Sequence, residues 1–272
     1  IWLGIRAGSL MFFRAANPSM HLGGFCNYSK FESLTKIEPS LVPKMALVTT
    51  LHDRTKITPY LSQQIGYPMI LKPDKGERGR GVEKIDSDQE LDAYLSKTDY
   101  QTIAQEYIPY PLELGVMYSR LPSANSGVID SIVKKEFLSV IGDGHSTLQE
   151  LIDAGERTRI HKEKLESLFN ATLNKTIPKG EKVELIPIGN HCRGTTFLNA
   201  NDLITPELEK VFDNIWETMD GFYFGRFDIR VPNLEDLYQG KNIKIMEVNG
   251  AASEPAHIYD PEMSLWSAYN HL

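Results

Sequence analysis

Cysteine is nearly absent. Cys26 and Cys192 are the only two in 272 residues, and they sit far apart without metal-ligand spacing. That leaves free thiols in a reducing compartment as the reading, with the cytoplasm as the expected location. Long apolar runs are missing too. The opening stretch IWLGIRAGSLMFF is broken by Arg6 and no small-residue cleavage site follows it. It is too short to span a bilayer and is expected to be a buried strand or helix of a truncated N-terminal region, with no membrane partner. Positive charge is not in excess: the net charge is −7 and there is no broad basic footprint. This argues against nucleic acid as a partner. No internal repeat or low-complexity tract occurs, and no Ser–His–Asp or Cys–His arrangement has motif support. His145, in GDGH, reads as a loop residue.

What is present is an ordinary globular composition, 41% hydrophobic and 24% charged, enough for a sizeable core in one large domain or two to three subdomains. The pattern reads as α+β. Residues 1–43 form an N-terminal segment ending in a short helical stretch, Lys30–Glu38, stopped by Pro39 and Pro43. Residues 44–111 alternate strand and helix: strands at Lys44–Thr50, Tyr67–Pro73, Val82–Ile85 and Thr102–Ile108, helices at Thr55–Ile65 and Asp88–Leu95, the latter capped by Asp86 or Ser87. Residues 112–272 form a second unit. Its strands are Leu112–Ser119, Val128–Ile141, Lys182–Gly189, Phe224–Val231 and Ile243–Gly250. Its helices are Thr147–Asp153, a Lys- and Glu-rich solvated helix Arg157–Phe169, and Thr205–Asp220, which has Pro206 at its first position.

Three features carry chemistry. The first is the pair of strands FGRFDIRV and IKIMEVNG. A period of two puts Phe224, Arg226, Asp228 and Arg230 on one face. The same period puts Ile243, Ile245, Glu247 and Asn249 together, opposite Met246 and Val248. Asp228, Glu247 and Asn249 then supply oxygen ligands for one hard cation of the kind that bridges phosphates. The second is DKGERGRG, which joins strand to strand and lacks GK[ST], so it is not a Walker A loop. Gly76, Gly79 and Gly81 make a hairpin tip whose amides can approach a polyphosphate, with Lys72 at the end of the strand before it. The third is QEYIPYPLELG, in which a strand ending at Glu106 leads into a linker exposing the backbone of Tyr107 and Ile108, with Glu113 beyond it.

In this order the motifs resemble the ATP-grasp superfamily, over about Lys30 to Asn249. The resemblance implies two α+β subdomains gripping ATP between them. It implies Lys30 and Lys72 at the phosphates, the glycine loop with Arg80 over them, and Glu106, Tyr107 and Ile108 at adenine. Glu113 would hold the ribose, and Mg2+ or Mn2+ would sit on Asp228, Glu247 and Asn249. GERGRGV looks like the loop of cyanophycin synthetase-like ligases, VIGDGHSTLQELI resembles a segment of these and of glutathione-synthesising fusion ligases, and GNHCRGTTF sits where those enzymes have a glycine-rich N-x-x-x-G segment; the D-alanine–D-alanine ligase-like carboxylate–amine ligases are the other likeness. The implied activity is ATP-dependent joining of a small carboxylate to an amine, of amino-acid or peptide type, through an acyl-phosphate. Arg226 and Lys72 would be catalytic. A phosphotransferase on the same fold and a non-catalytic ATP-binding module are the alternatives. These ligases are often dimers, so a homodimer is a further expectation. After Asn249 the chain departs from the pattern, so the acceptor is unassigned; Lys134, His191, Arg193, Glu254, His257 and Tyr259 are the candidate substrate contacts. The N-terminal part is shorter than the domain that usually precedes this core.

Overall fold

The computed structural model describes residues 2–49, 53–76, 79–186, 189 and 194–271. Expected positions His191 and Arg193, and two residues of the glycine loop at 77 and 78, lie outside them. Among the described residues no helix is long and apolar enough to cross a membrane. The opening helix, Trp2–Arg6, corrects one expectation: it is not buried, since Trp2, Ile5 and Leu10 are exposed.

The first sheet has four antiparallel strands in the order β1-β4-β2-β3: β1 Met45–Val48, β2 Met69–Pro73, β3 Glu83–Ile85 and β4 Thr102–Glu106. Helices Arg54–Gln64 and Asp88–Ser96 cover one face, burying Ile57, Leu61, Met69, Leu71, Leu91 and Ala104. Ser87 is the cap of the second helix, accepting from the Glu90 amide. The other face of this sheet carries Lys72 and Gln105.

The second sheet has five strands in the order β11-β10-β5-β6-β9: β5 Leu112–Ser119, β6 Val128–Glu136, β9 Thr196–Asn199, β10 Phe224–Val231 and β11 Lys244–Asn249. Behind it lies the helix Pro206–Glu217, capped by Thr205 and opened by Pro206. Its Leu208, Phe212 and Ile215 join Phe227, Ile229, Val231, Ile245 and Val248 in the main core. Met20, Leu34, Ile37 and Val42 of the N-terminal segment belong to the same core.

Residues 128–141 do not form one strand. The ladder breaks at Phe137, and β7, Leu138–Ile141, pairs instead with β8, Lys182–Ile186. Likewise the helix expected at 157–169 breaks at His161, whose backbone leaves the helical region, into Glu156–Ile160 and Lys162–Phe169. It is not wholly solvated: Leu165 is fully buried with Leu138, Ile152 and Leu185 in a small core of its own.

Candidate functional site

The site lies where the two larger sheets face each other. On β10 strict alternation holds. Phe227, Ile229 and Val231 are fully buried in the core, while Arg226, Asp228 and Arg230 take the opposite face. On β11 alternation fails. Asp228 pairs with Glu247 and Arg226 with Asn249, yet Ile229 pairs with Ile245, so Met246 is an extra residue. This β-bulge moves Ile243 and Ile245 into the core with Val248 and leaves only Glu247 and Asn249 beside Asp228. The shared face expected for Ile243, Ile245, Glu247 and Asn249 is corrected accordingly.

Each carboxylate is held by built-in cations. Lys30 donates to Glu247 Oε1 at 2.7 Å and to the Gly76 carbonyl at 2.7 Å, so it bridges the glycine loop and β11. Arg226 Nε donates to Asp228 Oδ1 at 3.0 Å, and its Nη1 donates to the Glu254 carbonyl at 3.2 Å. Lys135 Nζ lies 3.2 Å from Asp228 and 3.3 Å from Glu113. The Asn249 amide donates to Asp228 at 3.2 Å and accepts from the Tyr28 hydroxyl at 3.1 Å. Burial pushes the Asp228 carboxyl upward, but Arg226 and Lys135 outweigh it and hold it at about 2. Burial acts the same way on Glu247, and Lys30 with Lys72 brings it below its usual range. Lys30 and Lys135 are each raised: burial disfavours their charge, and the neighbouring carboxylates more than compensate.

Lys72 is the exception. It is 7% exposed, and its ammonium donates to Gln105 Oε1 at 2.9 Å and to the Met246 carbonyl at 2.9 Å. Among the described residues no carboxylate lies within ion-pair distance of it. Burial lowers its pKa to about 8, an effect that Lys30 adds to and that Glu247 and Asp228 only partly offset.

The linker side corrects two expectations. Paired strand residues share a face: Glu106 pairs with Met69 on the helix-covered side, and Gln105 pairs with Ile70 on the cleft side. The Glu106 carboxylate accepts from the Lys44 amide at 3.1 Å, away from Lys72. Similarly, Lys134 faces away from the cleft and pairs with Glu136 at 3.0 Å, while Lys135 is the inward neighbour. Glu113 is 7% exposed and takes Arg230 Nε at 2.8 Å. Tyr107 gives its amide to the Pro68 carbonyl at 3.3 Å, and Ile108 gives its carbonyl to Arg230.

In the glycine loop Gly79 and Gly81 have φ of +67° and +70°, and Arg80 is exposed. A Cβ on Gly81 would lie 2.7 Å from the Tyr100 hydroxyl. Of the other candidates, Tyr259 donates to Glu254 at 2.5 Å at the cleft rim. His257 is 1% exposed, packs edge-on against His271, and among the described residues neither of its ring nitrogens has a hydrogen-bond partner. Sequence reasoning did not single out Asp74 or Tyr28. Asp74 is 1% exposed and binds the Ser29 hydroxyl and the Phe31 amide, which fastens Lys30's helix to the end of β2. Ser-x-x-Glu at the start of that helix was the one available signal.

Among the described residues no three His, Cys, Asp or Glu side chains gather as metal ligands. A cation here would rely on two carboxylates and one amide oxygen. That donor set suits a hard cation sharing its shell with water and phosphate, and not a soft one.

No family model matches the chain. It is 25% identical over 225 residues to the glutathione biosynthesis bifunctional protein of Streptococcus mutans, covering 74% of this chain and 29% of that one. It is 25% identical over 238 residues to cyanophycin synthetase of Trichormus variabilis, covering 80% of this chain and 25% of that one. The chain thus spans under a third of the length of these relatives. Among solved structures, the VanG D-Ala:D-Ser ligase of Enterococcus faecalis matches with a TM-score of 0.50 and 16% identity, over 88% of this chain and 56% of that one. The chain thus has the fold of ATP-grasp ligases and is similar in sequence to a glutathione biosynthesis bifunctional protein and to cyanophycin synthetase.

Proposed function

We propose that the chain is an ATP-dependent carboxylate–amine ligase working through an acyl-phosphate. The observation that carries this reading is the Asp228–Glu247 pair with Asn249 on β10 and β11, faced by Lys72 from β2 and Lys30 beside the glycine loop. The relatives' names, a glutathione biosynthesis protein and cyanophycin synthetase, agree with this class. The substrates are taken to be small carboxylates and amines of amino-acid or peptide type.

Mg2+ bound by Asp228, Glu247 and Asn249 would supply charge neutralisation for the β- and γ-phosphates. Lys72 and Lys30 would meet the phosphate chain, and Glu113 would accept from ribose hydroxyls. The substrate carboxylate oxygen takes the γ-phosphoryl group and ADP leaves. The amine nitrogen then attacks the acyl carbon, phosphate departs, and the amine gives up a proton. Arg226 suits the charge that grows on the transferred phosphoryl group and then on the tetrahedral oxyanion. Lys135 sits beside Asp228 at the same end of the cleft and reinforces this.

The test is ADP release against pools of amino acids and dipeptides, resolved by product mass. Amide product formed with ADP supports the reading. A phosphorylated acid released without any amine points to the phosphotransferase alternative, and nucleotide bound but never consumed points to a binding module. Asp228→Ala and Glu247→Ala should each lower turnover by at least about 10²–10³-fold. Unchanged turnover in both would remove the metal assignment.

A further inference from the structure

Arg230 lies two residues beyond Asp228 and shares its face of β10, but its side chain turns toward the linker between the sheets. Nε donates to Glu113 Oε2 at 2.8 Å, and Nη1 donates to the Ile108 carbonyl at 2.6 Å. The guanidinium lies over the rings of Tyr107 and Phe137, 5.6 and 5.0 Å from their centroids. It is 7% exposed. One side chain therefore ties together the linker, β5 and the strand that carries Asp228. A planar fork holds its donors in a fixed geometry and so sets the relative orientation of both acceptors, which a flexible ammonium does not.

The contact extends beyond Glu113. Lys135 stands almost equidistant between Glu113, at 3.3 Å, and Asp228, at 3.2 Å. With Arg230 in place, Glu113 has a second cation, and Lys135 is shared with Asp228. Without it, a buried carboxylate would keep one counter-charge and draw Lys135 toward itself.

We propose that Arg230 is the positioning residue of the nucleotide cleft. It holds the Glu113 carboxylate and the linker carbonyl in register with the Asp228 strand, and this sets the preference for a nucleotide with intact ribose hydroxyls. The proposal rests on the nucleotide reading above.

The test is calorimetric binding of ADP, 2′-deoxy-ADP and 3′-deoxy-ADP, each with Mg2+, to wild type, Arg230→Met, Arg230→Lys and Glu113→Gln. Wild type should prefer ADP to at least one deoxy analogue by about tenfold or more. Arg230→Met should weaken ADP about tenfold and shrink that preference to within about threefold. Arg230→Lys, which keeps the charge but lacks the rigid guanidinium fork, should recover part of it. Glu113→Gln should flatten the preference, and adding Arg230→Met should flatten it no further, because the two act as one unit. Equal weakening of all three nucleotides with the ratio intact would mean a purely structural role and overturns the proposal. So would wild-type behaviour in Arg230→Met. If Arg230→Met fails to fold, judged by circular dichroism, the Lys variant and Glu113→Gln decide. Wild type that binds ADP without ribose preference sinks the assignment of Glu113 and Arg230 but leaves the cleft standing. Wild type that binds no adenine nucleotide removes the nucleotide reading itself.

Discussion

Lys72 stores electrostatic strain that a polyphosphate would release. Its pKa falls from 10.5 to about 8 because it is buried, with the uncharged Gln105 side chain and Met246 carbonyl as its hydrogen-bond partners among the described residues. At about 1.4 kcal/mol per unit, this places about 3 kcal/mol against holding the ammonium in the empty site. A bound polyphosphate next to Lys72 should restore the pKa to near 10.5 or above. Binding then takes up protons: about 0.5 per site at pH 8 and about 0.9 at pH 9. Because the ligand selects the charged form, affinity should be about twentyfold weaker at pH 9.5 than at pH 7.5. The assay is calorimetric titration of ADP with Mg2+ in buffers of different ionisation enthalpy, which reads proton uptake directly. Lys72→Met should bind more weakly and lose both the uptake and the pH slope. The empty protein offers a second reading. Here the folded pKa lies below the unfolded one, so between pH 8 and 10.5 the unfolded chain holds more protons than the folded one. Stability therefore rises through that window, and the full cost is carried below pH 8. Lys72→Met lacks this rise. Uptake near zero at pH 8–9, or an unchanged slope in Lys72→Met, would refute the reasoning.

Two further outcomes follow from the geometry. Gly24 has φ +76° and its added Cβ would lie 2.7 Å from the Gly250 Cα, while a Cβ on Gly250 would meet the Gly23 carbonyl at 2.6 Å. Gly24→Ala and Gly250→Ala should each cost about 1–3 kcal/mol in urea unfolding, and a loss below about 0.5 kcal/mol would mean that the two loops separate easily. His257 is lowered by burial and then by His271, with Asp260 opposing. A histidine depressed in the fold gives stability that is complete above pH 6.5 and is lost as pH falls below it. His257→Leu should flatten that acid limb in thermal unfolding measured from pH 7.5 to pH 5, and an unaltered limb would place the acid sensitivity elsewhere.

Much of the architecture was legible from local pattern. Strands Leu112–Ser119 and Phe224–Val231 have the expected bounds, and the Thr205–Pro206 helix start is where cap chemistry puts it. These signals are local, so folding had little to add. Positions that failed were those where two local readings compete. Val128–Ile141 is apolar enough for one long strand, but it splits because its two halves serve different cores. The apolar start of the chain looked like core material, yet its Trp2 and Ile5 find no cover among the described residues.

By itself the sequence determined which residues on β10 stand together, because side chains in an unbroken strand alternate. Arg226, Asp228 and Arg230 had to share a face once Phe227, Ile229 and Val231 were committed to the core. It also determined that acid and amide groups would lie at the end of β11. Only the tertiary structure decided which neighbour of a pair looks inward: Lys135 and not Lys134, Gln105 and not Glu106. Alternation fixes relative facing and leaves absolute facing to the packing of helices on one side of each sheet. The bulge at Met246 was likewise invisible, since it exists only as a mismatch of register against β10. The same holds for Lys30 and Glu247, 217 residues apart, whose 2.7 Å contact is made by the way the N-terminal segment, the glycine loop and β11 come together.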